Sequence, residues 1–232
     1  MKSIIAASCA MIVVPLLIPS FAQAEDSPVT GNLSFTSDYR FRGITQTNEQ
    51  PALQGGFDWA AGNGLYLGTW ASNVSWVGGE NSLEWDFYGG YTGKAGPVEY
   101  DVGGLYYWYP GEQLATSPNT FEVYGAVTYN LMTLKYSHAL TELFGFENSE
   151  GSGYLDLSAA IPVAGYEIGL HAGYQTVQDQ ALDCDYVDWS VSGGGSYAGF
   201  DVTLAYVDTN ADTGCWSDTG DSTVTLTVGK SF

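Results

Sequence analysis

Period-two alternation of apolar and polar residues recurs along this chain in segments about ten residues long, and the connections between the segments alternate short and long. Residues 221–232, DSTVTLTVGKSF, show the pattern cleanly. Val224, Leu226 and Val228 share one face of a strand, and Thr223, Thr225 and Thr227 share the other. Residues 31–43 read as the first strand. There Leu33, Phe35, Tyr39 and Phe41 alternate with Ser34, Thr36, Asp38, Arg40 and Arg42. Twelve such segments, these two included, run in order along the chain. Short connections fall near residues 62, 96, 130, 163 and 198, and long ones near 47, 79, 114, 148, 181 and 214. Twelve antiparallel strands with both ends on one side need five connections there and six opposite, and the spacing has that count. About ten residues is what a tilted membrane-spanning strand requires.

The fold expected is therefore all-β: a closed antiparallel up-and-down transmembrane barrel of about twelve strands. Backbone groups facing hydrocarbon must all be paired, so residues 31–43 must meet residues 221–232. A soluble sandwich or lipocalin-like barrel is the alternative. Soluble β surfaces use Lys to guard their edges, whereas here Lys and Arg together number 6. Aromatics gather at strand ends, as in interfacial girdles: Tyr39, Phe41, Trp59, Trp108, Tyr129, Trp189 and Tyr206.

Residues 1–24 have the make-up of a secretory signal peptide, with Lys2, a short apolar run and Ala22-Gln23-Ala24. The mature chain, residues 25–232, is then the barrel. It contains no long apolar stretch for a membrane helix. Twenty-six acids against 6 bases exclude nucleic acid, whose phosphates need Lys and Arg. The 17 Tyr, 10 Phe and 7 Trp argue against acidic disorder. Cys9 leaves with the signal. An exported protein carrying Cys184 and Cys215 most simply joins them, tying the fifth and sixth long loops together. Two free thiols are the alternative.

With the apolar face toward lipid, the opposite parity lines the lumen. It carries Asp38, Asp58, Glu84, Asp86, Glu99, Asp101, Glu122, Asp156, Glu167, Asp188 and Asp201, against Arg40, Arg42 and Lys135. Such a wall favours cations. A barrel filled by paired charges is the competing reading, and Asp38 beside Arg40 and Arg42 would suit it. The many inward Gly, Ser and Ala argue for a narrow open channel. His171 joins the lumen wall. Ser137 and His138 are neighbours on one strand and point apart, so they make no nucleophile–base pair. The long loops are acidic at Asp183, Asp185, Asp208, Asp212, Asp218 and Asp221, without the spacing of a calcium loop. No metal or cofactor is expected.

Residues 32–59, with S-x-D-Y-x-F-R-G at 37–43 and P-x-x-Q-G at 51–55, together with the terminal GKSF at 229–232, resemble the TorF family of porins, also known as the Gcw_chp family. The last residue, Phe232, resembles the terminal aromatic that the barrel-assembly machinery reads in outer-membrane barrels. The resemblance implies an outer-membrane barrel of porin character in Gram-negative bacteria and carries over no catalytic residue. The expected function is passive diffusion of small solutes or ions, with cations preferred. The alternative is a non-conducting structural barrel whose acidic loops bind ions, lipopolysaccharide or a surface partner.

Overall fold

Side chains of alternating character can be satisfied on both faces only if the sheet separates two environments. In the computed structural model, which describes residues 28–78 and 82–232, the separation is achieved by closure. The expected signal peptide lies outside the described residues. Twelve strands form the wall: β1 (Val29–Thr36), β4 (Ala52–Ala60), β5 (Leu65–Asn73), β6 (Leu83–Ala95), β7 (Val98–Trp108), β8 (Thr120–Tyr129), β9 (Met132–Ala139), β10 (Gly153–Val163), β11 (Tyr166–Thr176), β12 (Tyr186–Tyr197), β13 (Phe200–Thr209) and β14 (Thr223–Ser231). Each pairs antiparallel with the next, and β1 pairs with β14 to complete a closed barrel. The expected fold is the one observed.

The outward parity is apolar and exposed, with Leu53, Leu67, Val102 and Leu204 each more than half exposed. Trp85 stacks on Trp108 across the β6–β7 pair, with ring centroids 5.8 Å apart. The inward parity is polar and buried, and it includes Glu84, Asp86, Glu122 and Asp188. This inside-out arrangement suits a hydrocarbon surround.

Four of the short connections are two-residue hairpins, between Ala95 and Val98, Tyr129 and Met132, Val163 and Tyr166, and Tyr197 and Phe200. In the last two, both central residues have positive φ, as primed turns matching strand twist require. The six long connections are residues 37–51, 74–82, 109–119, 140–152, 177–185 and 210–222, here called loops 1 to 6. Loop 6 contains a short helix, α1 (Thr213–Trp216), and a 3-10 turn (Ser217–Gly220).

The first strand departs from expectation. It ends at Thr36, not Gly43, and the seam with β14 runs only from Asn32 opposite Ser231 to Thr36 opposite Thr227. The chain then turns inward. Tyr39 and Phe41, expected in an outer aromatic girdle, are off the wall; Tyr39 is 1% exposed. At the other end of the seam, Gly31 and Phe232 exchange backbone hydrogen bonds of 2.8 and 2.9 Å, and the Phe232 ring lies against Gly31.

Candidate functional site: a hairpin plug in the lumen

Loop 1 folds into the barrel as a small hairpin, β2 (Arg40–Phe41) against β3 (Ile44–Thr45). Its tip is Arg42-Gly43, both at positive φ (48° and 80°), which closes the hairpin in two residues. Gly43 is required twice over. Its φ favours glycine, and a methyl group there would come within 2.7 Å of Asp188 Cβ on the facing wall.

The hairpin is fastened on several sides. Arg42 Nη2 donates to both carboxylate oxygens of Glu122 on β8, at 2.9 and 2.7 Å, and Nη1 donates to Gln175 Oε1 on β11 at 2.8 Å. Tyr186 Oη on β12 donates to the Arg42 carbonyl at 2.9 Å. Tyr39 Oη donates to Glu84 Oε1 on β6 at 2.8 Å, and Tyr109 Oη holds the other oxygen at 2.7 Å. Phe41 packs edge-on against Tyr107 and Phe144. Arg40 stays with its own loop and loop 6: Nε pairs with Asp38 at 2.5 Å, and Nη1 donates to the Thr219 and Asp221 carbonyls at 3.1 and 2.9 Å. Burial works against the charged form of Arg42, but the Glu122 carboxylate outweighs it and holds the guanidinium above its ordinary pKa. Burial, then Glu84, raises the Tyr39 hydroxyl well above its usual value, so it remains a donor.

The sequence-derived lumen residues fall into three groups. Asp38, Arg40 and Arg42 belong to the plug and not to the wall, where the first strand was expected to carry them. Glu84 and Glu122 receive the plug. Asp86 lies between them in the charge pattern, flanked on the neighbouring strands by Trp70 and Tyr107. It is fully buried, and neither of its carboxylate oxygens has a hydrogen-bond partner among the described residues.

The second group lines the middle. Asp101 accepts from Tyr66 Oη at 2.7 Å, and Tyr66 Oη meets Tyr124 Oη. Lys135 Nζ lies 4.1 Å from the centre of the Tyr124 ring. His171 stands between two carboxylates. Its Nε2 is 2.6 Å from Asp188 Oδ2, within a hydrogen-bonded set that includes Tyr154. Its Nδ1 is 2.8 Å from Asp156 Oδ2, close enough for ionic attraction but not aligned as a hydrogen bond. The third group sits toward the short turns: Asp58 accepting from Tyr88 at 2.5 Å, Glu99 paired with Lys94, Asp201 accepting from Ser196, and Glu167 partly exposed. Ser137 is buried on the inner face while His138 faces outward, 3.3 Å from Tyr136 Oη.

Inward glycines do not widen the lumen as expected. They are covered by tyrosines from neighbouring strands. A methyl group at Gly90 would meet Tyr66 Oη at 2.5 Å, and one at Gly103 would meet Tyr124 Oη at 2.6 Å. Tyr124 shares the polar parity of Glu122, as its alternation predicts, whereas Tyr66, Tyr107, Tyr154 and Tyr186 are lumen residues that were missed from the sequence. Their signal was available in their parity, which they share with the acids.

Cys184 and Cys215 form a disulfide with Cα atoms 5.5 Å apart, joining loops 5 and 6. Beside it Trp216 donates from Nε1 to the Cys184 carbonyl at 2.9 Å and packs on Tyr186 and Phe146. Above the plug is a cavity of about 420 Å³.

A family model described as "Bacterial protein of unknown function (Gcw_chp)" matches residues 22–232. The chain belongs to the Gcw_chp family. No curated protein matches the sequence. Among solved structures, this Gcw_chp chain is similar to the KdgM porin, with a TM-score of 0.59 at 10% identity over 88% of this chain and 98% of that one. A KdgM porin in complex with disordered oligogalacturonate gives 0.56 at 10% identity, over 88% and 97%. The NanC porin gives 0.54 at 8% identity, over 87% and 97%. At such identities the likeness is one of fold.

Proposed function

We propose that this Gcw_chp protein is a narrow outer-membrane channel for passive diffusion of small uncharged or cationic solutes and ions, and that the loop 1 hairpin sets its constriction. The observation that carries the reading is the Arg42–Glu122–Gln175 contact, which places a loop in the lumen of a barrel with porin architecture. The resemblance of residues 37–43 to TorF porins supports it, because those residues build the hairpin. Charge supports the cation preference. Asp38, Glu84, Asp86, Asp101, Glu122, Asp156 and Asp188 lie inside, against Arg40, Arg42, Lys135 and His171. Oligogalacturonate, the polyanion bound by a KdgM porin, would be repelled by such an interior. Export through a signal peptide, insertion by the barrel-assembly machinery and contact with lipopolysaccharide are part of this reading.

Purified protein in planar bilayers tests it. Discrete conductance steps are expected, with a reversal potential favouring cations. Changing Glu99 and Asp101 to Gln and Asn should move that potential toward zero. A folded, heat-modifiable protein that never conducts, even with the hairpin deleted, would overturn the channel. The near-complete burial of Tyr39 and Arg42 inside the barrel favours a second reading, a non-conducting barrel whose acidic loops bind ions or lipopolysaccharide. That same outcome would support it.

A further inference from the structure

The cavity above the plug is built from parts of the chain that are distant in sequence, with Leu114 of loop 3 among its lining residues. Loop 1 contributes Phe41 and Ile44, loop 2 Trp76, loop 4 Phe144 and Phe146, and loop 6 Trp216, with Arg42 and Gln175 at the floor. Its volume of about 420 Å³ lies at the lower end of small-molecule sites, which span roughly 300 to 1,000 Å³. One or two rings would fill it.

The lining says what kind of ring. Most of its polar groups are already engaged within the protein; the exception is the buried Trp76 Nε1, which has no hydrogen-bond partner among the described residues and could serve a single acceptor such as a phenolic oxygen. Arg42 is held by Glu122 and Gln175, the Gln175 amide donates to the Gly153 and Thr176 carbonyls, Thr45 donates to Asp38, and Thr219 donates to the Trp216 carbonyl. What is left to a ligand is mostly ring face and methyl. A sugar would find few free partners for its hydroxyls, and leaving polar groups unpaired is costly. An anion would approach a molecule of net charge −20, and the nearby cations are already paired, Arg42 with Glu122 and Arg40 with Asp38. An organic cation would meet aromatic faces that Arg42 itself occupies, 4.8 Å from Phe41 and 6.0 Å from Phe144.

We propose that this cavity is a binding site for a small uncharged aromatic molecule. Because its walls combine the plug with loops 2, 4 and 6, an occupant contacts the hairpin only in its lumen-filling position. Binding therefore favours the plugged state by the occupant's differential affinity. The site does not require the barrel to conduct.

The tryptophans provide the test. Mature full-length protein labelled with 5-fluorotryptophan, folded in detergent, is titrated with p-cresol and followed by fluorine NMR. Trp76 and Trp216, assigned by Trp→Phe exchange, should shift and saturate. Trp59, Trp85 and Trp189, which face outward, report p-cresol dissolving in the micelle and should drift without saturating. Benzoate should leave Trp76 unmoved. Phe146→Ala should weaken the saturation seen at Trp76 by about tenfold, the effect of losing one well-packed ring. If that variant does not fold, Leu114→Ala, another lining residue, should weaken the saturation in the same direction through lost apolar contact. Parallel, non-saturating drift at all five tryptophans overturns the proposal, as does saturation that neither variant weakens. Failure of conductance in the bilayer experiment would leave this result untouched.

Discussion

The Arg42 guanidinium, standing on a loop, closes both of its Nη2 hydrogen bonds on the Glu122 carboxylate of a wall strand 80 residues further along the chain. Both side chains are nearly inaccessible, at 4% and 2% exposure. A buried pair of this kind is a poor source of net stability, but breaking it on one side is expensive.

Arg42→Ala should therefore leave Glu122 buried without its counterion and destabilise the plugged barrel by about 3–5 kcal/mol. The joint change Arg42→Met with Glu122→Leu should recover most of that loss. Urea unfolding of refolded protein gives the comparison. Equal losses in the single and joint variants would deny the latch its role.

Gly43→Ala tests the tip. The new methyl meets Asp188 Cβ at 2.7 Å, on a residue already at φ 80°. Thr209 Cγ2 on β13 lies nearer still, so relief requires the hairpin to withdraw from both β12 and β13. Higher conductance and faster proteolysis of residues 37–51 are expected, with the wall unchanged by circular dichroism. A variant as protected as the parent would show that the tip carries no constraint.

Asp86→Leu should have the opposite sign. The carboxylate is fully buried with neither oxygen bonded, and an unpaired buried polar group costs about 1–3 kcal/mol in proteins. Replacing it with an apolar side chain should raise the urea midpoint and make opening rarer. A lower midpoint would mean that Asp86 has a partner in the membrane-embedded protein.

Reducing the Cys184–Cys215 bond should loosen the plug from a distance. The bond closes a loop with a sequence separation of 31, and loops of that size are stabilised by about 2–4 kcal/mol. Loop 6 supplies the carbonyls of Thr219 and Asp221 that hold Arg40. Reduction, or Cys215→Ser, should increase conductance fluctuations, with an effect no larger once Arg40 has been changed to Ala. An effect that adds fully to Arg40→Ala would separate the two.

The wall was legible because each strand repeats one simple rule, and because five short turns between six long loops admit little besides a barrel. Residues 31–43 misled for a physical reason. Asp38 to Gly43 keep the alternation of a stave, and alternation reports two faces without saying which surroundings each face meets. Tyr39 has the parity of a lipid-facing aromatic and finds an apolar cluster inside the barrel instead, beside Trp70. The inward glycines misled similarly. Gly90 and Gly103 have no side chain of their own, and their neighbours' tyrosines occupy the room. Arg42 and Glu122 were both placed in the lumen, but nothing local in the sequence could join a loop residue to a particular wall carboxylate.

The seam between β1 and β14 is short because residues 38–43 have been diverted from it. A hairpin inside the barrel is chain length withdrawn from the enclosure, so obstruction of the bore and continuity of the cylinder draw on the same six residues. The upper edge of β14 is consequently the least reinforced part of the circumference, and it adjoins the one segment whose relocation would lengthen it.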